Sequence, residues 1–377
     1  MSTYRLKDFV DPIAITVQDP ANSGFERFVG LEHYDSNELV IKRFSGVELL
    51  TTNAKAFQKN DLLIARRNVY LRRAGVVYFD GITSGDSIVL RVKEDCEKQT
   101  GISRELAQRV LPLVLNTDRF WIYANKHADG MNSKRISKDT LLDYEFDLPS
   151  IEEQKVLADK LWAAYKVKES YRQLLSTTDE MLKAKFQEMF GDAEKNGTIS
   201  DLVENNIASV KKTYKNEDTI AYIDISSVSA ESNKVLDVTN YVVKQAPSRA
   251  QQCVRKGDIL VSTTRPLNRN IAVVESDASN LVASTGFCVL RPKNGWSDYV
   301  MAIVKSDEYT EAMCDKATGG VYPAVNNSDV LSYNINIPSP EILQQISLIF
   351  RQAEATKTSL RASIEAIDRV IRSLINQ

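Results

Sequence analysis

The chain has no run approaching the ~18 uninterrupted apolar residues of a membrane-spanning helix, and Met1-Ser2-Thr3-Tyr4-Arg5 leads into no apolar signal core. A cytoplasmic location is expected. Cysteine is scarce: Cys96, Cys253, Cys288 and Cys314 are spread singly with no C-x-x-C pair, as expected of reduced thiols filling small core positions. His33 and His127 are the only histidines, and no Cys or carboxylate pattern stands beside them, so no metal site is expected. There is no G-x-x-x-x-G-K loop followed by Ser or Thr and no G-x-G-x-x-G turn, which argues against nucleotide hydrolysis and a dinucleotide cofactor. An excess of one charge is missing too. With 48 Lys and Arg against 50 Asp and Glu, the net charge is −2 and gives no bulk pull toward nucleic acid or membrane. Any nucleic-acid contact then needs basic residues gathered locally.

What the chain does have is duplication. Its 377 residues, 43% hydrophobic and 26% charged, have the composition of a globular protein that buries real cores. Ala128-Asp129-Gly130 and the following residues to Leu148-Pro149-Ser150 return as Ala317-Thr318-Gly319 to Ile337-Pro338-Ser339, at a constant offset of 189 residues (338 − 149; 319 − 130). The same offset carries into the next segments, where Leu157, Leu161, Ala164, Lys168, Tyr171, Leu175, Thr178, Leu182 and Lys185, a spacing that Met189 continues, match a series in the second half. That series is Ile346, Phe350, Ala353, Lys357, Leu360, Ile364, Ile367, Ile371 and Leu374. The spacing alternates between four and three, the seam of a coiled coil.

These segments read as two long helices. Ser150-Ile151-Glu152-Glu153 is a capping box, and Ser339-Pro340-Glu341 places proline at the first helical position, where its missing N–H does no harm. Residues 151–190 contain neither glycine nor proline, Gly191 is the expected C-cap, and such a helix is roughly 60 Å long. Ala164 and Ala353 fall at d positions and Lys168 and Lys357 at a positions, so both seams are interrupted in the same way, at a cost in stability that fixes register and partner. If a pseudo-two-fold relates the halves, the helices pair antiparallel and act as a ruler between the globules. A second apolar stripe, with Trp162, Val167, Leu174 and Phe186, is expected to serve partner subunits.

The expected fold class is α+β: two similar globules, at 1–149 and 192–338, and two spacer helices, at 150–191 and 339–377, pairing as an antiparallel coiled coil. Within the globules, Lys59-Asn60-Asp61-Leu62-Leu63-Ile64-Ala65 resembles Lys256-Gly257-Asp258-Ile259-Leu260-Val261-Ser262, a turn feeding a buried strand. Gly81-Ile82-Thr83-Ser84 with Val89-Leu90-Arg91 resembles Val282-Ala283-Ser284 with Val289-Leu290-Arg291. After the first strand come Arg66, Arg67 and Asn68, with Arg72 and Arg73 close behind. Thr263, Thr264 and Arg265, with Asn268 and Arg269, follow its copy. Arg and Asn have the bidentate geometry that suits guanine and adenine edges, while Thr and Lys suit phosphates. The segments 130–137 and 319–326 offer a second surface, with Lys134 and Arg135 in one copy and Tyr322 and Asn326 in the other; Lys211-Lys212 is a further basic pair.

No catalytic group stands out. Glu153-Gln154-Lys155 with Asp147 upstream has the residue types of some nuclease sites, but Glu153 already has a capping role, and the chain reads as a binder. On the Leu148-Pro149-Ser150-Ile151-Glu152-Glu153-Gln154 helix start, its copy Ile337-Pro338-Ser339-Pro340-Glu341, the Lys256-Gly257-Asp258-Ile259-Leu260 turn and the duplicated layout, the chain resembles the specificity subunit of type I restriction–modification systems. That resemblance implies two target-recognition domains that each read half of a split DNA site, and paired helices that set the gap. It also implies that the helices dock methyltransferase subunits, two in number, which hold S-adenosylmethionine, that a separate motor subunit cuts, and that this chain has no catalysis or cofactor of its own. Two departures are present. Ile342 and Leu343 stand where the first helix has acids and Gln, and Asn60 replaces Gly257 in a turn that positive φ would strain. The alternative from another class is a two-domain scaffold that binds proteins through its globules.

Overall fold

Four consecutive buried residues, Leu62, Leu63, Ile64 and Ala65, form a strand covered on both faces, and the first globule is built around it. The computed structural model describes residues 2–131, 133–191, 193–204 and 206–376. In the unit made of Met1–Arg172 and Arg361–Gln377, Leu62–Ala65 sits inside an antiparallel sheet of order Val10–Ile13, Ser87–Val92, Leu62–Ala65, Ala74–Val76. A second sheet has the order Thr16–Val17, Ala54–Phe57, Gly81–Thr83, Phe28–Val29, the last two being parallel. Helices Arg104–Val114 and Asp118–Lys126 are started by Ser103 and Thr117, whose hydroxyls accept from the Leu106 and Phe120 amides. Their buried faces join Leu62, Ile64 and Leu90 in one core with Leu111, Phe120 and Trp121.

The unit Gln173–Leu360 repeats this plan. Its sheets have the order Val228–Ser229, Lys234–Val235, Ile271–Val273, Ile259–Ser262, Phe287–Leu290 and the order Thr239–Val242, Thr219–Ile223, Leu281–Ser284, Ala250–Cys253. Registers agree: Leu62 faces Leu90 and Val76, and Ile259 faces Leu290 and Val273. Thr219–Ile223 runs parallel to Leu281–Ser284, as Phe28–Val29 does to Gly81–Thr83. The copies differ at their edges. Val10–Ile13 extends the first sheet, whereas among the described residues the second globule has only the Val203–Pro292 bridge there and adds the 228–235 hairpin. Each globule is α+β.

Ile151–Phe190 and Pro340–Ile375 are continuous helices. The Ser150 amide and hydroxyl both donate to Glu153 Oε2 (2.9 and 2.8 Å), and the Glu153 amide donates to Ser150 Oγ at 3.4 Å, closing the expected capping box. Gly191 departs from expectation: its amide donates to Gln187 O at 2.8 Å without a left-handed φ, so a plain helical bond ends the helix. The division into four segments differs from the observed packing, because each unit contains part of both helices. In the first unit Leu157, Leu161 and Ala164 pack with Ile367, Ile371 and Leu374, and Leu161, fully buried, contributes roughly 2 kcal/mol. In the second, Met189 packs with Ile346 and Phe350. Leu182, Ala353 and Leu360 are buried, while Tyr171, Leu175 and Ile364 are half-buried.

Both seam lysines are buried and paired across the helices. Lys168 Nζ lies 2.6 Å from Asp368 and 2.5 Å from Glu38, and Lys357 Nζ lies 2.8 Å from both Asp179 and Glu354. Within the second unit, as the residue number rises from 179 to 189 on one helix, its partner's falls from 357 to 350 and 346 on the other, so the helix segments there run antiparallel. Trp162 and Phe186 are not on a free stripe. The Trp162 indole N–H donates to Arg109 O at 3.0 Å, and Phe186 packs on Phe190 and Tyr299, because both rings bury more area against their own globule than a narrow seam offers. Val167 and Leu174 are exposed. No helix among the described residues is long and apolar enough to cross a membrane.

Candidate nucleic-acid interface

In each globule the buried strand ends in a turn whose two flanking residues are left-handed without being glycine. Asn68 (φ 55°) and Arg72 (φ 51°) flank Val69–Leu71, and Arg265 (φ 48°) and Arg269 (φ 50°) flank Pro266–Asn268. Four such residues cost on the order of 1 kcal/mol each, strain that the surrounding contacts hold in place. The Asn68 amide donates to Lys134 O and the Arg265 amide to Pro323 O, both at 2.7 Å, tying each turn to a hairpin. The hairpins pivot on Gly130 (φ 115°) and Gly319 (φ 105°), where a side chain would meet Ser133 O at 2.9 Å or Tyr322 O at 3.1 Å. Turn and hairpin together make one lip on each globule.

The scaffolding is the same, and the side chains it presents are not. On the first lip Arg67 Nε donates to Ser133 Oγ at 2.8 Å, and Asp86 stands 3.9 Å from Arg67 and 3.5 Å from Arg135. Arg66 Nε and Asn68 Oδ1 are buried with no protein hydrogen-bond partner. Nearby, Lys55 is held below its ordinary pKa first by burial and then by the Arg66 charge, the mark of crowded cations. Arg73 is occupied in holding Leu31 O and Arg67 O. On the second lip Thr263 donates its amide and hydroxyl to Gly286 O, Asn268 is exposed, and the Arg265 guanidinium stacks 4.4 Å from the centre of the Tyr322 ring. Thr264 O accepts from Ser262 Oγ at 2.9 Å, and Asn326 caps the helix Asn327–Leu331.

Arg72 and Arg269 have equal jobs. Each forms a 2.5 Å ion pair with an acid in the first turn of a helix, Asp118 in one globule and Asp307 in the other. Arg269 and Lys183 hold Asp307 below the usual carboxylate range. Among the described residues, Arg66, Lys134 and Arg265 form no ion pair, and Lys134 and Arg265 are exposed. The structure thus brings Arg66, Arg67, Asn68, Arg72, Arg73, Lys134 and Arg135 together on one lip, and Thr263, Thr264, Arg265, Asn268, Arg269, Tyr322 and Asn326 on the other. Lys211 and Lys212 lie apart from the lip, exposed on the short helix Val210–Thr213 beside the strand Ala250–Cys253.

Residues 194–369 match the family model described as the type I restriction modification DNA specificity domain. That is the family the sequence resembles. The specificity subunit of the type I restriction enzyme HindI of Haemophilus influenzae is 30% identical over 156 residues, 39% of this chain and 34% of that protein. The chain therefore matches about a third of that relative's length. The S subunit of the type I restriction–modification system of M. genitalium has the same fold, with a TM-score of 0.55 at 11% identity, covering 99% of this chain and 94% of that one. So does a chain from a type I R-M system solved for its assembly and conformational transition (TM-score 0.54, 16% identity, 99% and 96% covered). At such identities these structures show a shared fold.

Sequence reasoning missed one pair of supports. Asp61 and Asp258 are fully buried and accept bidentate bonds from Arg91 (2.7 and 2.7 Å) and Arg291 (2.8 and 2.8 Å). A second bond from the Gln58 or Arg255 amide to the same Asp closes the turn before the strand. All four residues stand in the duplicated motifs, so their joint recurrence was the available signal.

Proposed function

We propose that this chain is the sequence-reading component of a type I restriction–modification complex, binding a bipartite duplex DNA site with one globule on each half. The observation that carries the reading is the pair of lips: equal backbone, equal anchoring ion pairs, different exposed side chains. Equal construction supports two readers docking on duplex DNA in the same manner, and different side chains support two different half-sites. Phosphate contacts fall to Lys134, Arg66 and Lys211-Lys212, and base edges to Arg67, Asn68, Arg135 and Arg265. The length of the two helices determines which gap between half-sites the chain accepts. The exposed Val167, Leu174 and Met181, seven residues apart in turn, support docking of methyltransferase subunits, two per chain, along the first helix. S-adenosylmethionine and catalysis belong to those subunits, cleavage to a separate motor, and the complex works in the cytoplasm. A protein-binding scaffold is the less favoured reading, since it gives no reason for strained, cation-bearing lips in both globules.

The test is equilibrium binding of the full chain, with its methyltransferase partner, to duplexes carrying the methylated motif. The logarithm of affinity is expected to fall steeply and linearly with the logarithm of salt concentration; a flat dependence overturns the reading. Arg265→Ala should relax one half-site only if the guanidinium reads a base, by about 10-fold or more, and an equal loss on all sequences would assign it to phosphate instead.

A further inference from the structure

Each lip carries at its outermost point an apolar side chain that the globule leaves in water. Tyr70 and Leu267 occupy the middle of Val69–Leu71 and Pro266–Asn268, equivalent positions in the two copies, and are 61% and 75% exposed. The hairpins beside them add Met131 (98%) on the first lip and Val321 (77%) on the second. Burying a leucine stabilises a fold by roughly 2 kcal/mol, and neither tip side chain contributes that here.

The tips have no freedom to fold back. Within each turn the Leu71 and Asn268 amides donate to Asn68 O and Arg265 O, and the Arg72 and Arg269 amides to Val69 O and Pro266 O, at 2.9–3.0 Å. Beyond the turn the Arg72–Asp118 and Arg269–Asp307 pairs fix its far end. A strained turn held by these three contacts and by the Asn68–Lys134 or Arg265–Pro323 bond to its hairpin, with an apolar tip in water in both copies, is preorganised for an apolar feature on the partner. Each lip also carries cations that form no ion pair among the described residues, Arg66 and Lys134 on one and Arg265 on the other, and so the partner is a polyanion with apolar spots. Duplex DNA has one such spot in the major groove, the 5-methyl group of thymine.

We infer that Tyr70 and Leu267 read thymine methyl groups, one in each half-site. This rests on the proposed function and deepens it: arginine supplies hydrogen-bond readout of base edges while the tips supply apolar readout, which requires at least one A·T pair in each half-site. An apolar contact releases no counterions, so the tips contribute to affinity without contributing to its salt dependence, unlike the arginines around them.

The experiment uses the full chain with its methyltransferase partner and duplexes carrying its methylated motif, with each thymine replaced in turn by deoxyuridine, which deletes only the methyl group. At least one replacement in each half-site should weaken binding about fourfold, as burial of one methyl predicts. Leu267→Ala should weaken binding by a similar factor, leave the salt slope unchanged, and abolish the uracil effect in one half-site while the other keeps it. Leu267→Met, which keeps an apolar tip, should retain the effect. The inference is overturned if no replacement weakens binding by the parent protein, if Leu267→Ala keeps full sensitivity in both half-sites, or if a half-site lacks an A·T pair. Failure of the parent protein to prefer its motif over unrelated DNA would overturn the proposed function itself, a separate result.

Discussion

A single residue can show how far the chain's conformation is written in its letters. Asn60 and Gly257 stand at matching places, and a glycine facing an asparagine is the signature of a left-handed position. Both are left-handed, at φ 71° and 89°. No atom lies within 4 Å of the position a Gly257 Cβ would take, so substitution there meets only backbone strain. Gly257→Asn should therefore change stability by no more than about 0.5 kcal/mol, while Gly257→Val should cost about 2 kcal/mol, measured by urea denaturation. Equal losses for the two variants would contradict this. The left-handed Arg72, Arg265 and Arg269 were not legible, because nothing in an arginine favours that region; the turn's anchors hold them there. The buried Asp258–Arg291 pair, 33 residues apart, was legible only through its recurrence as Asp61–Arg91. Arg291→Ala should destabilise by about 3 kcal/mol, since it leaves a fully buried carboxylate with no cation.

At the scale of elements, the two long helices were the most legible part of the fold, since capping, absence of glycine and proline, and four-three spacing all point the same way over 40 residues. Their lysines were legible as interruptions, but their partners were not. Asp368 and Asp179 sit on the facing helix, and Glu38 comes from the globule. Lys168→Ala should cost about 3 kcal/mol, at the low end for a broken buried pair because Arg172 still faces Glu38. The same contacts set a pH window. Burial alone would raise the Glu38 pKa, but Arg172 and Lys168 outweigh it and hold the carboxyl below its usual 4.5, so its contribution is present above that pH and lost as pH falls. Burial alone would lower the Lys357 pKa, but Asp179 and Glu354 hold the ammonium above its usual 10.5, so its contribution is present below that pH and lost as pH rises. Denaturation midpoints followed by helical circular dichroism should fall on both sides of this window in the parent protein. In Lys357→Met the alkaline fall should be shallower; an unchanged alkaline limb would contradict the assignment.

For the whole molecule, the duplication was legible because the matched motifs recur at near-constant offsets, and the strands that carry the lips kept their registers. What diverged lies at the edges: the edge strand Val10–Ile13, the added 228–235 hairpin and the exposed side chains of the lips. A duplicated reader with helix-determined spacing makes one claim about DNA, and methylome sequencing of a host expressing the complete system tests it directly. A single methylated motif of two specific halves around an unspecified gap is expected. A four-residue insertion in one helix, about 6 Å of rise, should shift the gap and leave both halves unchanged. A contiguous motif, or halves that change while the gap stays fixed, would contradict it.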